Sequence, residues 1–111
     1  MSVKVITYDV GTTGLKTCMF SISAEDSVRY LAGETDAYEL HVLENGGVEQ
    51  DPADWWAAMA RSTKKLLEKS GVAKEEIKGI SFCSQFQTVV MVDEKGKPLR
   101  RAMSCMDARA D

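Results

Sequence analysis

The chain has 111 residues, 44% hydrophobic and 28% charged, the composition of one globular domain and not of a disordered tail, a collagen or a disulfide-knotted peptide. Lys and Arg number 14 against 17 Asp and Glu, a net charge of −3. Nucleic-acid domains carry a basic face, so no nucleic-acid partner is expected. No apolar run approaches the ~18 residues of a membrane span. The opening Met1-Ser2-Val3-Lys4-Val5 lacks a signal-peptide pattern. No membrane partner is expected, and the chain is expected to be cytoplasmic. Cys18, Cys83 and Cys105 are odd in number and widely spaced. They read as reduced, small buried residues rather than zinc ligands or a disulfide frame. His41 is the single histidine, and no partner residues in the sequence point to its use in Ser-His or Cys-His catalysis.

In chain order, residues 4–10 form a Val/Ile-rich run that predicts a buried strand. Gly11-Thr12-Thr13-Gly14 is a turn signal. Residues 15–22 predict a second strand with Cys18, Phe20 and Ile22 on one face, so the pair reads as an antiparallel hairpin. After a turn at 24–27, residues 28–40 predict a third strand that Gly33 bends or bulges. The helix is the clearest element. Asp51 suits the N-cap, Pro52 the first helical position and Asp54 the first turn, while Gly71 suits the left-handed C-terminal position. Trp56, Met59, Ala60, Thr63, Leu66 and Leu67 predict the buried stripe, and Arg61, Lys64, Lys65 and Glu68 the wet side. A helical piece at 74–76 leads into a strand at 77–83 with Ile80 and Phe82 as apolar anchors. Residues 87–92 and 98–104, joined by Asp93-Glu94-Lys95-Gly96, predict a second hairpin. Met59, Met91, Met103 and Met106 read as packing.

This order predicts a mixed α/β sheet, an antiparallel meander followed by a helical crossover. No closing helix follows, although a sheet that is apolar on both sides needs cover on both. The chain is expected to be a piece of a larger domain or a very short member of its class. Its open edge and apolar face are expected to pair with another copy, giving a homo-oligomer.

Three segments could carry chemistry. Asp9 ends a strand where a carboxylate can face hydrated Mg²⁺. The Gly11–Gly14 turn can aim backbone N–H groups at a phosphate, with hydroxyls from Thr12 and Thr13 and a positive charge from Lys16. It is not a Walker A loop, since no Gly-Lys-Ser/Thr opens a helix. An ordinary hairpin turn is the plainer alternative. Ser84-Gln85-Phe86-Gln87-Thr88 follows a strand predicted to be parallel, where open α/β sheets bind ligands. Amide side chains there can bond sugar hydroxyls in both senses, and Phe86 can pack on a ring face. The alternative is a polar connection. Asp107-Ala108-Arg109 is either a site or a solvated charged end. Trp56 reads as core, and Trp55 is open between core and stacking.

Together these segments resemble the FGGY family of carbohydrate kinases. The carrying residues are Tyr8-Asp9-Val10-Gly11-Thr12-Thr13-Gly14-Leu15-Lys16, Val48-Glu49-Gln50-Asp51-Pro52-Ala53-Asp54-Trp55-Trp56, Ile80-Ser81-Phe82-Cys83-Ser84-Gln85, Asp93-Glu94-Lys95-Gly96-Lys97-Pro98-Leu99 and Asp107-Ala108-Arg109. The resemblance is poor only at 23–44. It implies two actin-like, ribonuclease-H-like domains closing over a cleft, of which residues 1–111 match the opening portion of the first. It implies that Gly11, Thr12, Thr13, Gly14 and Lys16 meet ATP phosphates and that Asp9 sits near Mg²⁺ through water. It implies that Gln85, Phe86, Gln87, Asp107 and Arg109 meet a sugar or polyol. Cys105 stands where the family has Trp, which alters one wall of that pocket, and Phe86-Gln87 matches neither the glycerol-kinase nor the xylulose-kinase pair. The catalytic base and the adenosine region would lie beyond Asp111, in the remainder of the kinase chain, so the implied activity is ATP-dependent phosphoryl transfer to a hydroxyl, with the isolated chain inactive. Two other readings stay open: a non-catalytic actin- or chaperone-like nucleotide module, and a self-associating structural fragment.

Overall fold

The structure, a computed structural model, describes residues 2–25 and 27–110. Strands β1 (Ser2–Val10), β2 (Gly14–Ser23) and β3 (Val28–Ala37) form the predicted meander. Two short strands follow, β4 (His41–Val42) and β5 (Val48–Gln50), then helix α1 (Pro52–Ser70). A single 3₁₀ turn at Lys74–Glu76 opens into β6 (Ile77–Ser84), and β7 (Ala102–Met103) comes last. The main sheet has the order β3-β2-β1-β6, with β6 parallel to β1 and the other pairs antiparallel. A smaller sheet has the order β4-β5-β7.

The helix begins and ends as its sequence dictates. The Asp51 carboxylate accepts the Ala53 N–H at 2.9 Å, and Gly71 closes the helix at φ 71° with its N–H on Leu67 O. The core lies between α1 and the sheet. Ile6 and Tyr8 of β1, Leu15 and Met19 of β2 and Ala32 of β3 meet Ala58 and Leu66 of α1. Small residues at 58 and 62, spaced four apart with Leu66, let the helix approach closely. Polar ties fix the contact: Tyr8 and Thr63 hydroxyls lie 2.7 Å apart, and Arg61 holds both oxygens of Asp36 at 2.9 and 3.0 Å.

Of the predicted stripe, Leu66 is buried and Met59, Thr63 and Leu67 are half-buried, whereas Ala60 is exposed and Trp56 is 71% exposed; Ala58 and Ser62 complete the buried face. The helix leans over β2 and β3. That leaves Trp56 and the anchors Ile80 and Phe82 of β6 largely in solvent. The cysteines do not fill the core either: Cys83 and Cys105 are exposed and Cys18 is half-buried. Met91 and Met106 are likewise exposed, while Met59 and Met103 pack partly.

The third strand stops at Ala37, because Tyr38 turns inward, its N–H on Thr13 O and its hydroxyl on the turn carbonyls. Its bulge falls at Leu31, where pairing jumps from Phe20↔Tyr30 to Met19↔Ala32. The second hairpin forms with broken pairing: the 93–96 turn joins antiparallel bridges Val92↔Pro98 and Val89↔Met103, with Leu99 N–H on Met91 O at 2.9 Å between them. Residues 102–103 pair with β5 as well. Among the described residues no helix is long and apolar enough to cross a membrane.

Candidate functional site at the turn between the first two strands

The turn closes on itself through Gly11 N–H to Gly14 O at 3.0 Å. Both glycines are required. A Cβ on Gly11 would lie 2.9 Å from Gly14 O, and one on Gly14 3.0 Å from Asp36 O. Three buried or half-buried side chains hold the turn from behind. The Tyr38 hydroxyl donates between Gly11 O and Gly14 O, the latter at 3.1 Å. The Gln50 amide nitrogen donates to Thr12 O. The Gln85 amide nitrogen donates to Gly11 O at 3.3 Å and to Gln50 Oε1 at 2.8 Å. Burial, then the charge of Asp9, pushes the Tyr38 phenol up to about 12, so it remains a donor across the physiological range.

Peptide groups are planar and trans, so a C=O and the N–H of the same unit point opposite ways. None of the described residues breaks that rule with a cis bond. The Gly11 and Thr12 carbonyls face the protein, so the Thr12 and Thr13 N–H groups face outward. Neither amide has a partner among the described residues. Thr13 is exposed, and Gly11, Thr12 and Gly14 are half-buried.

Asp9 ends β1 between Lys16 on β2 and Cys83 on β6. A hollow of about 250 Å³ opens there, lined by Thr7, Asp9, Lys16, Cys18, Ser81 and Cys83 among others. The Asp9 carboxylate beside it raises the Cys83 thiol above its ordinary value. Among the described residues no three His, Cys, Asp or Glu gather as a metal site. One carboxylate nevertheless suits Mg²⁺, which keeps most of its waters and takes few protein ligands.

Of the acceptor segment, Gln85 joins the turn as described, fixed by the Thr88 hydroxyl at 3.1 Å. Phe86 is 70% exposed. Gln87 sits at φ 52°, left-handed backbone that a non-glycine residue adopts at a cost. A second hollow of about 310 Å³ lies below, between Val10, Trp55, Trp56, Phe82 and Gln85.

Asp107 and Arg109 do not join the turn. Asp107 accepts the Val48 N–H at 2.8 Å and pairs with Arg109, which also reaches Glu49 at 2.8 Å. Arg100 reaches the same buried Glu49 at 2.5 Å. The pair therefore clamps β5, the strand that ends in Gln50. The sequence reading did not single out Gln50 and Tyr38 as site residues. Gln50 lies next to the N-cap in a segment that resembles the family, whereas Tyr38 lies near the end of the predicted third strand, where the resemblance is poor.

Residues 4–111 match the N-terminal domain of the FGGY family of carbohydrate kinases. The chain is 30% identical over 105 residues to a xylulose kinase of Staphylococcus epidermidis, covering 95% of this chain and 20% of that one. It is 31% identical over 106 residues to a glycerol kinase of Roseobacter denitrificans, covering 95% and 21%. Among solved structures it superposes on a gluconate kinase from Lactobacillus acidophilus with a TM-score of 0.81 at 23% identity, over 96% of this chain and 20% of that one. The chain thus spans about a fifth of the length of the relatives it matches. It belongs to the FGGY family of carbohydrate kinases, whose members phosphorylate sugars, and its mixed sheet has their actin-like ATPase fold.

Proposed function

We propose that residues 1–111 are the opening portion of the first domain of an ATP-dependent sugar or polyol kinase, supplying the phosphate grip and part of the acceptor site. The observation that carries this is the pair of outward amides at Thr12 and Thr13, without a partner among the described residues, next to the Asp9↔Lys16 pair of β1 and β2. Phosphoryl transfer depends mainly on positioning and on neutralising the γ-phosphate's charge. The two amides and Lys16 would bring hydrogen-bond donors and a positive charge to it, and Asp9 would hold a hydrated Mg²⁺, which would supply further charge neutralisation. Gln85, Phe86 and Gln87 would meet the acceptor. Asp107 and Arg109, turned toward Glu49 and Val48, would shape that site from behind. A base near the acceptor oxygen is still needed, so the 111 residues alone bind without turning over. The three free cysteines fit a reducing cytoplasmic setting.

The test is an NMR titration of the chain with Mg²⁺-ATP. Amides of residues 11–16 are expected to move, and Asp9→Asn or Lys16→Met to weaken the response. An unresponsive turn, or sugar-dependent ADP release by this chain alone, would overturn the reading. The bare apolar surface of Ile80, Phe82 and Trp56 favours one further reading: a second copy, or the remainder of the kinase, covers it.

A further inference from the structure

We propose that Gln50 is a positioning residue that links the phosphate turn to the acceptor segment. This rests on the phosphate reading of the turn. Gln50 is only 1% exposed, and its one amide group serves three partners. Its nitrogen donates to Thr12 O, and its oxygen accepts from Gln85 Nε2 at 2.8 Å and from Trp55 Nε1 at 3.2 Å. No other residue type of this size offers a donor and a two-fold acceptor on one rigid group.

The consequence at the turn is electronic as well as steric. Thr12 C=O and Thr13 N–H belong to one peptide unit. A hydrogen bond accepted at the oxygen polarises the unit and strengthens its N–H as a donor. Gln50 thus acts behind the Thr13 amide as Tyr38 and Gln85 act behind the Thr12 amide. Because Gln85 begins the acceptor segment and bonds both Gly11 O and Gln50, a shift at either end is felt by the same amide. Gln50 is in turn held by β5, which Asp107 and Arg109 pin through Val48 and Glu49.

The probe is inorganic tripolyphosphate with Mg²⁺, added to the full chain and followed by NMR. In the wild type the Thr12 and Thr13 amides are expected to move, and the Trp55 indole N–H to move with them at the same affinity, although Trp55 stands on α1. Gln50→Met should weaken the probe roughly three- to tenfold, the scale of one hydrogen bond, and silence the indole while the turn still responds. Should that variant not fold, Gln50→Glu keeps both acceptor contacts but sets a carboxylate oxygen against Thr12 O, so the Thr13 amide is expected to lose its response while the Thr12 amide, still backed by Tyr38 and Gln85, keeps moving. A responding turn with a silent wild-type indole, an indole that still follows the probe in Gln50→Met, or a Thr13 amide unaffected by Gln50→Glu would overturn the role of Gln50 and leave the phosphate reading standing. A turn that ignores the probe in the wild type would overturn both.

Discussion

Asp9 and Cys83 stand directly opposite one another on the parallel strands β1 and β6, and the carboxylate holds the thiol above its ordinary value. A thiolate there would face the like charge of Asp9, which favours the protonated form. Cys83 is exposed yet should alkylate slowly at neutral pH, since the thiolate is the nucleophile. Asp9→Asn should lower the thiol's pKa and speed its reaction with iodoacetamide. Mg²⁺ on Asp9 should act in the same direction. A rate indifferent to both changes would dissociate the thiol from the carboxylate.

Gly11 is fixed by space. Its Cβ would press on a backbone oxygen of the same turn, which cannot move without opening the Gly11–Gly14 bond. Gly11→Ala should cost roughly 0.5–3 kcal/mol and also alter the turn's response to Mg²⁺-ATP. Gly71 offers the control. Nothing crowds it, but it sits at φ 71°, so Gly71→Ala should cost roughly 1–2 kcal/mol with the ATP response unchanged. Urea denaturation beside the NMR titration separates the two effects.

How far the sequence foretold this arrangement differed by residue. The Asp51 cap, the Gly71 stop and the β1–β2 hairpin rest on local chemistry, and each lies where the sequence put it. Trp56 failed because helical periodicity tells which residues share a face and not which face the sheet covers. α1 leans toward β2 and β3, a tertiary choice. The strand β5 was invisible for a related reason. Its three residues include the buried Glu49, which Arg100 and Arg109 neutralise from 51 and 60 residues away. Tyr38 acts on the turn from the end of the predicted third strand, where the chain leaves the sheet after Ala37. The outward amides of Thr12 and Thr13 followed from the Gly-Thr-Thr-Gly spacing, but the groups that aim them came from three distant segments.

The small sheet should respond to acid in a defined direction. The Arg109 guanidinium, then the Val48 N–H, hold Asp107 well below the usual carboxylate range, and Arg109 and Arg100 hold Glu49 down as well. Groups depressed in the folded state contribute stability that is fully present above their unfolded values, about 4 for Asp and Glu. That contribution is lost as pH falls through the lower folded values. The Val48 amide should therefore keep its bound shift through pH 4 and change only in stronger acid. Arg109→Met should bring that change up toward the ordinary range. Asp107→Asn preserves an acceptor for Val48 and should make the loss of stability on acidification shallower.

The contrast between Leu66 and Trp56 tests which members of the predicted stripe the fold buries. Leu66 is fully buried against the sheet, so truncation removes its transfer energy and leaves a cavity. Leu66→Ala should cost about 2–5 kcal/mol. Trp56, the larger residue, gains little from folding of a single chain, and Trp56→Ser should change dilute-solution stability by about 0.5 kcal/mol or less. If a second copy covers the surface of Trp56, Ile80 and Phe82, the wild-type denaturation midpoint rises with protein concentration, because association stabilises only the folded chain. Trp56→Ser should then abolish that concentration dependence and leave the dilute midpoint in place. A midpoint independent of concentration in the wild type would assign the surface to a partner other than this chain. A large loss for Trp56→Ser at high dilution would mean that Trp56 packs within the single chain.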